Sequence, residues 1–174
     1  MKVLKWFDDH TEEVILVVFS VIMVSVIFLQ VIMRYVFDAS LSWSEELARY
    51  SFIWLVYIGI SYGVKKQRHI KVDVLLLLFK ERGRLVLTII SNLLFLSFCL
   101  FVIRYGSGIA MTILELGQKS PANQIPMGFV YLAAPVGMGL AAIRIIQNLI
   151  KQFKALFGDG ELEIKTTQEK LQEE

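Results

Sequence analysis

Four long apolar runs, none with a charge at its centre, set what this chain can become. The first, Val14 to Met33, has twenty residues. At about 1.5 Å per residue, a helix of that length reaches roughly 30 Å, the thickness of a bilayer's hydrocarbon core. The second is Leu47 to Val64, interrupted by Arg49 near its start. The third is Leu85 to Ile103, and the fourth, Met127 to Ile143, stays apolar past Arg144 through Ile150. The predicted fold is all-α and integral to a membrane: four transmembrane helices over 14–33, 47–64, 85–103 and 127–143, in one membrane domain spanning 1–157. Pro126 falls at a first helical position, where proline is tolerated. Pro135 lies inside the fourth run and predicts a kink there.

Composition agrees with the runs. Hydrophobic residues make up 56% of the chain and the mean hydropathy is +0.60, where a soluble domain is about 45–50% apolar. The first run is longer than a signal-peptide core, has no A-x-A site after it, and follows Asp8, Asp9, Glu12 and Glu13, so it is expected to stay as a span. The single cysteine, Cys99, cannot form an internal disulfide and reads as a buried small hydrophobe.

Lysine and arginine orient the spans. Fourteen of the eighteen fall on the side of the termini and the middle loop, and four (Arg34, Arg49, Arg104 and Lys119) on the other. The positive-inside rule then places both termini and the middle loop in the cytoplasm. Asp73 to Lys80 is apolar, too short to span and flanked by basic residues. It is expected to be an amphipathic helix lying in the lipid interface, with Asp73 as its N-cap and Leu75, Leu76 and Phe79 in its apolar part. The N-terminal stretch with Val3, Leu4, Trp6 and Phe7 is a second candidate for such a helix. Residues 158–174 are polar and charged and read as a cytoplasmic tail.

The spans lack the groups that chemistry would need. Ionisable side chains within a membrane mark ion paths and proton relays, because they are costly to bury. None sits near the centre of a span, and Gln30 and Asn92, the main polar groups at depth, read as helix–helix hydrogen bonds. There is no phosphate loop, no H-E-x-x-H and no Cys/His cluster, so no catalytic constellation, metal or cofactor is expected. Packing signals are present instead. Gly59 and Gly63 form a GxxxG pair, and Ala133, Gly137 and Ala141 repeat a small residue every four positions. Small residues let helix backbones approach closely in lipid.

The densest polar stretch precedes and opens the second span. Ser42 and Glu45 fit an S-x-x-E capping box. Glu45 and Glu46 stand four and three residues before Arg49, so both carboxylates are expected to reach its guanidinium. One reading makes this a helix cap with Trp43 and Tyr50 as interfacial anchors. The other has Arg34, Trp43, Glu45, Glu46 and Arg49 fixing the helix against a neighbouring subunit, with Gly59 and Gly63 as further contact candidates.

At these residues the chain resembles a family, the small four-helix membrane subunit (DctQ-type) of tripartite ATP-independent periplasmic, or TRAP, transporters. The resemblance rests on MRYVF (33–37), LSWSEELARY (41–50), RHIKVD (68–73), SPA (120–122), IPM (125–127) and YLAAPVG (131–137). It reaches from the first span to the fourth, and the stretch beyond Lys154 matches nothing in the family pattern. The resemblance implies a non-catalytic scaffold in the bacterial inner membrane that pairs with a large membrane subunit carrying the substrate and sodium sites. It also implies a periplasmic substrate-binding protein that delivers an organic acid such as a C4-dicarboxylate or sialic acid. Lipid is the remaining expected partner, and nucleic acid is not one. The competing reading is a self-sufficient small homo-oligomeric transporter or channel, which would need a polar or ionisable pore-lining stripe.

Overall fold

The computed structural model describes the backbone of residues 2–66 and 81–157 and the side chains of residues 11–66 and 83–154. The expected interfacial helix over 73–80 and the tail over 158–174 lie outside the described residues. Five helices and no strand occur among the described residues: α1 Lys2–Val36, α2 Ser42–Lys65, α3 Glu81–Glu115, α4 Met127–Tyr131 and α5 Ala133–Phe157. Four helical stretches, with α4 and α5 counted together, are long and apolar enough to cross a membrane.

Two helices outrun their apolar runs. α1 has 35 residues, roughly 52 Å at the α-helical rise. Residues 2–36 contain neither glycine nor proline, so nothing separates the N-terminal stretch from the span, and the separate short helix considered for it does not form. α3 also has 35 residues and continues past Arg104, where the third apolar run ends. It stops at Gly117, whose φ of +63° suits a residue without Cβ. Gly117 N–H donates to Leu114 O (3.0 Å) and Gln118 N–H to Ile113 O (3.4 Å), the paired bonds of a Schellman stop.

The fourth span is interrupted at Leu132, between α4 and α5 and before Pro135. Pro135 has no N–H for the Tyr131 carbonyl, four residues back. Bonds from Leu132 N–H to Gly128 O (2.9 Å) and from Val136 N–H to Leu132 O (3.0 Å) carry the chain across the gap.

The helices alternate in direction and pack mainly in the order α1–α2–α5–α3, with α4 against α3. The buried apolar cluster joins Val64 of α2, Leu85, Ile89 and Cys99 of α3, and Met138, Ala141, Ala142, Ile145 and Leu149 of α5. Cys99 sits in it as the small hydrophobe expected from its place in the third run. α1 flanks this core and leaves Val14, Val17, Val21, Val24 and Phe28 exposed. One end of the molecule carries the 37–41 and 116–126 connections and is called the loop end. The other, with the start of α1 and the close of α5, is the termini end.

Candidate functional site

At the loop end the polar cluster is assembled differently from its sequence reading. Ser42 is the first residue of α2, and Leu41 holds the N-cap position with extended backbone and no side-chain cap. The S-x-x-E box therefore does not form, because its serine lies one residue too far into the helix. Ser44 Oγ instead donates to Leu41 O at 2.7 Å. Glu45 and Arg49 do meet, at 3.6 Å, but their side chains are 66% and 60% exposed. An exposed pair of this kind contributes about 0–1 kcal/mol.

Glu46 does not share Arg49. It is buried and turns toward the 118–126 loop. Its Oε1 accepts from Ala122 N–H (3.0 Å), and its Oε2 from Asn123 N–H (3.0 Å) and Asn123 Nδ2 (3.2 Å). Asn123 Nδ2 also donates to the Trp43 carbonyl (2.9 Å). The loop is built to offer these donors. Ser120 N–H donates to Ile125 O (2.9 Å), Ile125 N–H to the buried Ser120 Oγ (3.1 Å), and Met127 N–H to Gln118 O (2.8 Å). Gln124 takes a φ of +55° to close the turn. A carboxylate accepting backbone N–H groups makes charge-assisted bonds, so Glu46 ties the start of α2 to the loop before α4. Pro121 and Pro126 bracket this loop, and Pro126 is the N-cap of α4, one position before the first helical position expected for it.

Arg34 and Trp43 are exposed, and Arg34 makes no ion pair among the described residues. Beside Glu46 lies an open pocket of about 560 Å³ lined by Arg49, Tyr50, Ile53, Lys119, Met127 and Tyr131, among others. Tyr50 Oη reaches Met127 Sδ at 3.4 Å within it.

The termini end holds a cluster that sequence reading missed. Glu12 of α1 is 4% exposed. Its Oε1 accepts from Arg144 Nε of α5 (2.9 Å) and from Ser61 Oγ of α2 (3.0 Å). Lys65 Nζ stands 3.8 Å from Oε2, which accepts no hydrogen bond among the described residues. Next to it, Glu13 accepts from Tyr62 Oη (2.8 Å) and meets Lys66 Nζ (3.3 Å). Farther toward that end, Asn148 Nδ2 donates to Val64 O (3.1 Å), and Asn92 Nδ2 to Gln152 Oε1 (2.9 Å). The last is a helix–helix bond of the kind expected for Asn92. Glu12 had been read only as a charge flanking the first span. The available signal was Arg144 inside an apolar run, which calls for a buried acid, yet nothing in the sequence says which one.

The small residues divide by use. A Cβ on Gly59 would meet Leu16 Cδ2 of α1 at 3.8 Å, an ordinary contact, so Gly59 faces a helix of its own chain. Gly63 is half-buried in α2. Close approaches occur at Gly128, where a Cβ would meet the Leu114 side chain, and at Gly137, where it would lie 2.6 Å from Tyr57 Cβ and Tyr57 O. Ala133 and Ala141, four residues to either side, are fully buried. Taken together, the geometry joins helices to one another and to a loop. Among the described residues no three His, Cys, Asp or Glu side chains gather into a possible metal site.

The sequence model for the DctQ component of tripartite ATP-independent periplasmic transporters matches residues 23–155. The chain is 34% identical over 164 residues to the C4-dicarboxylate TRAP transporter small permease protein DctQ of Vibrio cholerae, covering 81% of this chain and 70% of that one. It is 30% identical over 158 residues to the isethionate TRAP transporter permease protein DctMQ of Oleidesulfovibrio alaskensis, covering 87% of this chain and 25% of that one. It is 33% identical over 133 residues to the sialic acid TRAP transporter permease protein SiaT of Haemophilus influenzae, covering 74% of this chain and 21% of that one. The chain thus spans about a quarter of the longer relatives it matches.

Proposed function

Because the chain belongs to the DctQ family of small membrane components of TRAP transporters, we propose that it is a non-transporting scaffold for a larger membrane subunit. The observation that carries this reading is the match to one quarter of a single-chain permease, whose other three quarters lie outside it. In such a permease the segment like this chain accompanies a larger remainder of the same protein. The use of Glu12, Glu46 and Arg144 supports the same reading, because each is engaged in holding helices or a loop of this chain. No member of the family is an enzyme among the relatives above, and none of these contacts performs a reaction.

The assembly is proposed to carry an organic acid, driven by sodium and supplied by a periplasmic binding protein. The named substrates of the relatives support the class: a C4-dicarboxylate, isethionate and sialic acid are all anions. The test is reconstitution in liposomes with labelled succinate and sialic acid as probes. Uptake is expected only with the large subunit and binding protein present, and only with an inward sodium gradient. Uptake by this chain alone would overturn the scaffold reading in favour of a self-sufficient transporter.

The termini end is proposed to face the cytoplasm of a bacterial inner-membrane assembly. The division of Lys and Arg supports this: fourteen fall toward the termini end, against Arg34, Arg49 and Lys119 toward the loop end. In intact cells, an impermeant thiol reagent is expected to label Gln118→Cys and to spare Gln67→Cys. The reverse pattern would invert the topology.

A further inference from the structure

We propose that the outward face of α3 around Arg104 is the surface that receives the larger membrane subunit, and that this partner meets Arg104 with a carboxylate. The inference rests on the scaffold reading and adds to it which helix is covered.

Depth is the first argument. Gly106 packs on Pro135, where a Cβ would lie 3.6 Å from Pro135 Cδ. Two residues on, Gly137 meets Tyr57, fifteen residues after Ser42 and eight before Lys65 in α2. Arg104 therefore stands at about the level of Tyr57, between the charged layer at Glu12 and Lys65 and the polar layer at Glu46. It is also eleven residues short of the end of α3 at Glu115, about 16 Å along the axis. The layer at Glu46 lies farther away than an extended arginine reaches, and Glu12, at the level of Ser61, belongs to α1, which packs on α2 and not on α3.

Surroundings are the second argument. Arg104 is exposed on the surface of the chain, among exposed Leu100, Phe101, Tyr105, Ile109 and Met111. Its guanidinium makes no ion pair or hydrogen bond among the described residues. A charged side chain at membrane depth is costly unless it faces protein or a water-filled cavity. α3 packs on α5 and α4, and among the described residues nothing covers this face.

The third argument is shape. A groove of about 350 Å³ runs along this face, lined by Arg104, Tyr105, Gly108, Ile109, Thr112 and Ile113. A Cβ on Gly108 would meet nothing within 4 Å, so that glycine makes no close packing contact among the described residues. It leaves a notch one helical turn from the arginine, where an incoming helix can approach closely.

The occupant follows from the charge. Lipid tails offer a guanidinium nothing, and headgroups lie at the wrong depth. A second copy of this chain in a two-fold contact would set Arg104 close to Arg104. A larger subunit with an acid on a facing helix satisfies both the charge and the notch.

The test is co-purification of the large subunit from membranes holding both subunits, normalised to the inserted amount of this chain. Arg104→Leu and Gly108→Trp are each expected to lower the bound large subunit by about tenfold or more, as truncating a buried charge pair or blocking a contact does. Arg104→Lys is expected to retain more than Arg104→Leu. A photo-reactive residue at Thr112 is expected to crosslink to the large subunit. Full co-purification of both Arg104→Leu and Gly108→Trp, or crosslinks to lipid or to a second copy only, would overturn the assignment while leaving the scaffold reading intact. If the wild-type chain itself holds no large subunit, both fall together.

Discussion

Glu12→Ala is expected to cost about 3–5 kcal/mol of stability, because it removes the buried acid that compensates Arg144 and Lys65. Both cations are nearly enclosed, with side chains 11% and 15% exposed, so little solvent replaces the lost carboxylate. For a chain of this length, the change corresponds to a fall in melting temperature of roughly 6–20 °C in mild detergent. The loss should fall on the attachment of α1, since Glu12 is the residue through which α1 reaches both α2 and α5. The triple replacement Glu12→Leu, Lys65→Met, Arg144→Met is expected to recover most of the stability, because removing all partners leaves no orphan charge. A melting temperature unchanged by Glu12→Ala would mean that the triad is solvated and does not hold α1.

The second large effect is expected at Gly137. Even Gly137→Ala places a Cβ 2.6 Å from the Tyr57 carbonyl oxygen and 2.7 Å from its carbon. Backbone cannot rotate away as a side-chain tip can, so α2 and α5 must separate along the contact that centres the molecule. Overpacking of this kind costs about 1–3 kcal/mol and can exceed that. Gly139→Ala supplies the control two residues on, since a Cβ there meets nothing within 4 Å. It is expected to be neutral or to gain up to about 1 kcal/mol from helix propensity. Thermal unfolding of the two variants side by side checks the pair. Equal melting temperatures would show that the close approach at Tyr57 is not rigid.

The contrast between glycines shows where sequence reading reached its limit. Gly59 and Gly63 carried the recognised GxxxG spacing, yet a Cβ on Gly59 would make only ordinary contact, with Leu16. A tight contact against backbone lies at Gly137, within the Ala133–Gly137–Ala141 repeat visible in the sequence, and another against Leu114 at Gly128, which belongs to no such repeat. Spacing shows that small residues share a face but not which backbone meets that face. Glu46 makes the same point. Three residues from Arg49 it is a helical neighbour by spacing, yet it accepts its hydrogen bonds from a loop more than seventy residues away.

The sequence shows which four segments are apolar enough to cross a membrane and marks the interruption before Pro135. The reason is that lipid forces each crossing segment to satisfy its own backbone, so a run of about twenty apolar residues has little choice but to be a helix. It did not determine the outer bounds of α1 and α3, because helices continue past the apolar run until glycine or a turn stops them. Polar pairs within one helix, such as Glu45 with Arg49, follow from spacing, but those between helices do not. Glu12 finds Ser61 and Arg144 across 49 and 132 residues of chain. In a soluble protein the apolar stripe of each helix would have indicated which face turns inward. Here lipid tails are as apolar as the core, so a residue facing a neighbouring helix and one facing lipid look alike in sequence. The rotation of each helix, and with it every partner of Glu12, Glu46 and Gly137, is set by packing between helices distant in the chain.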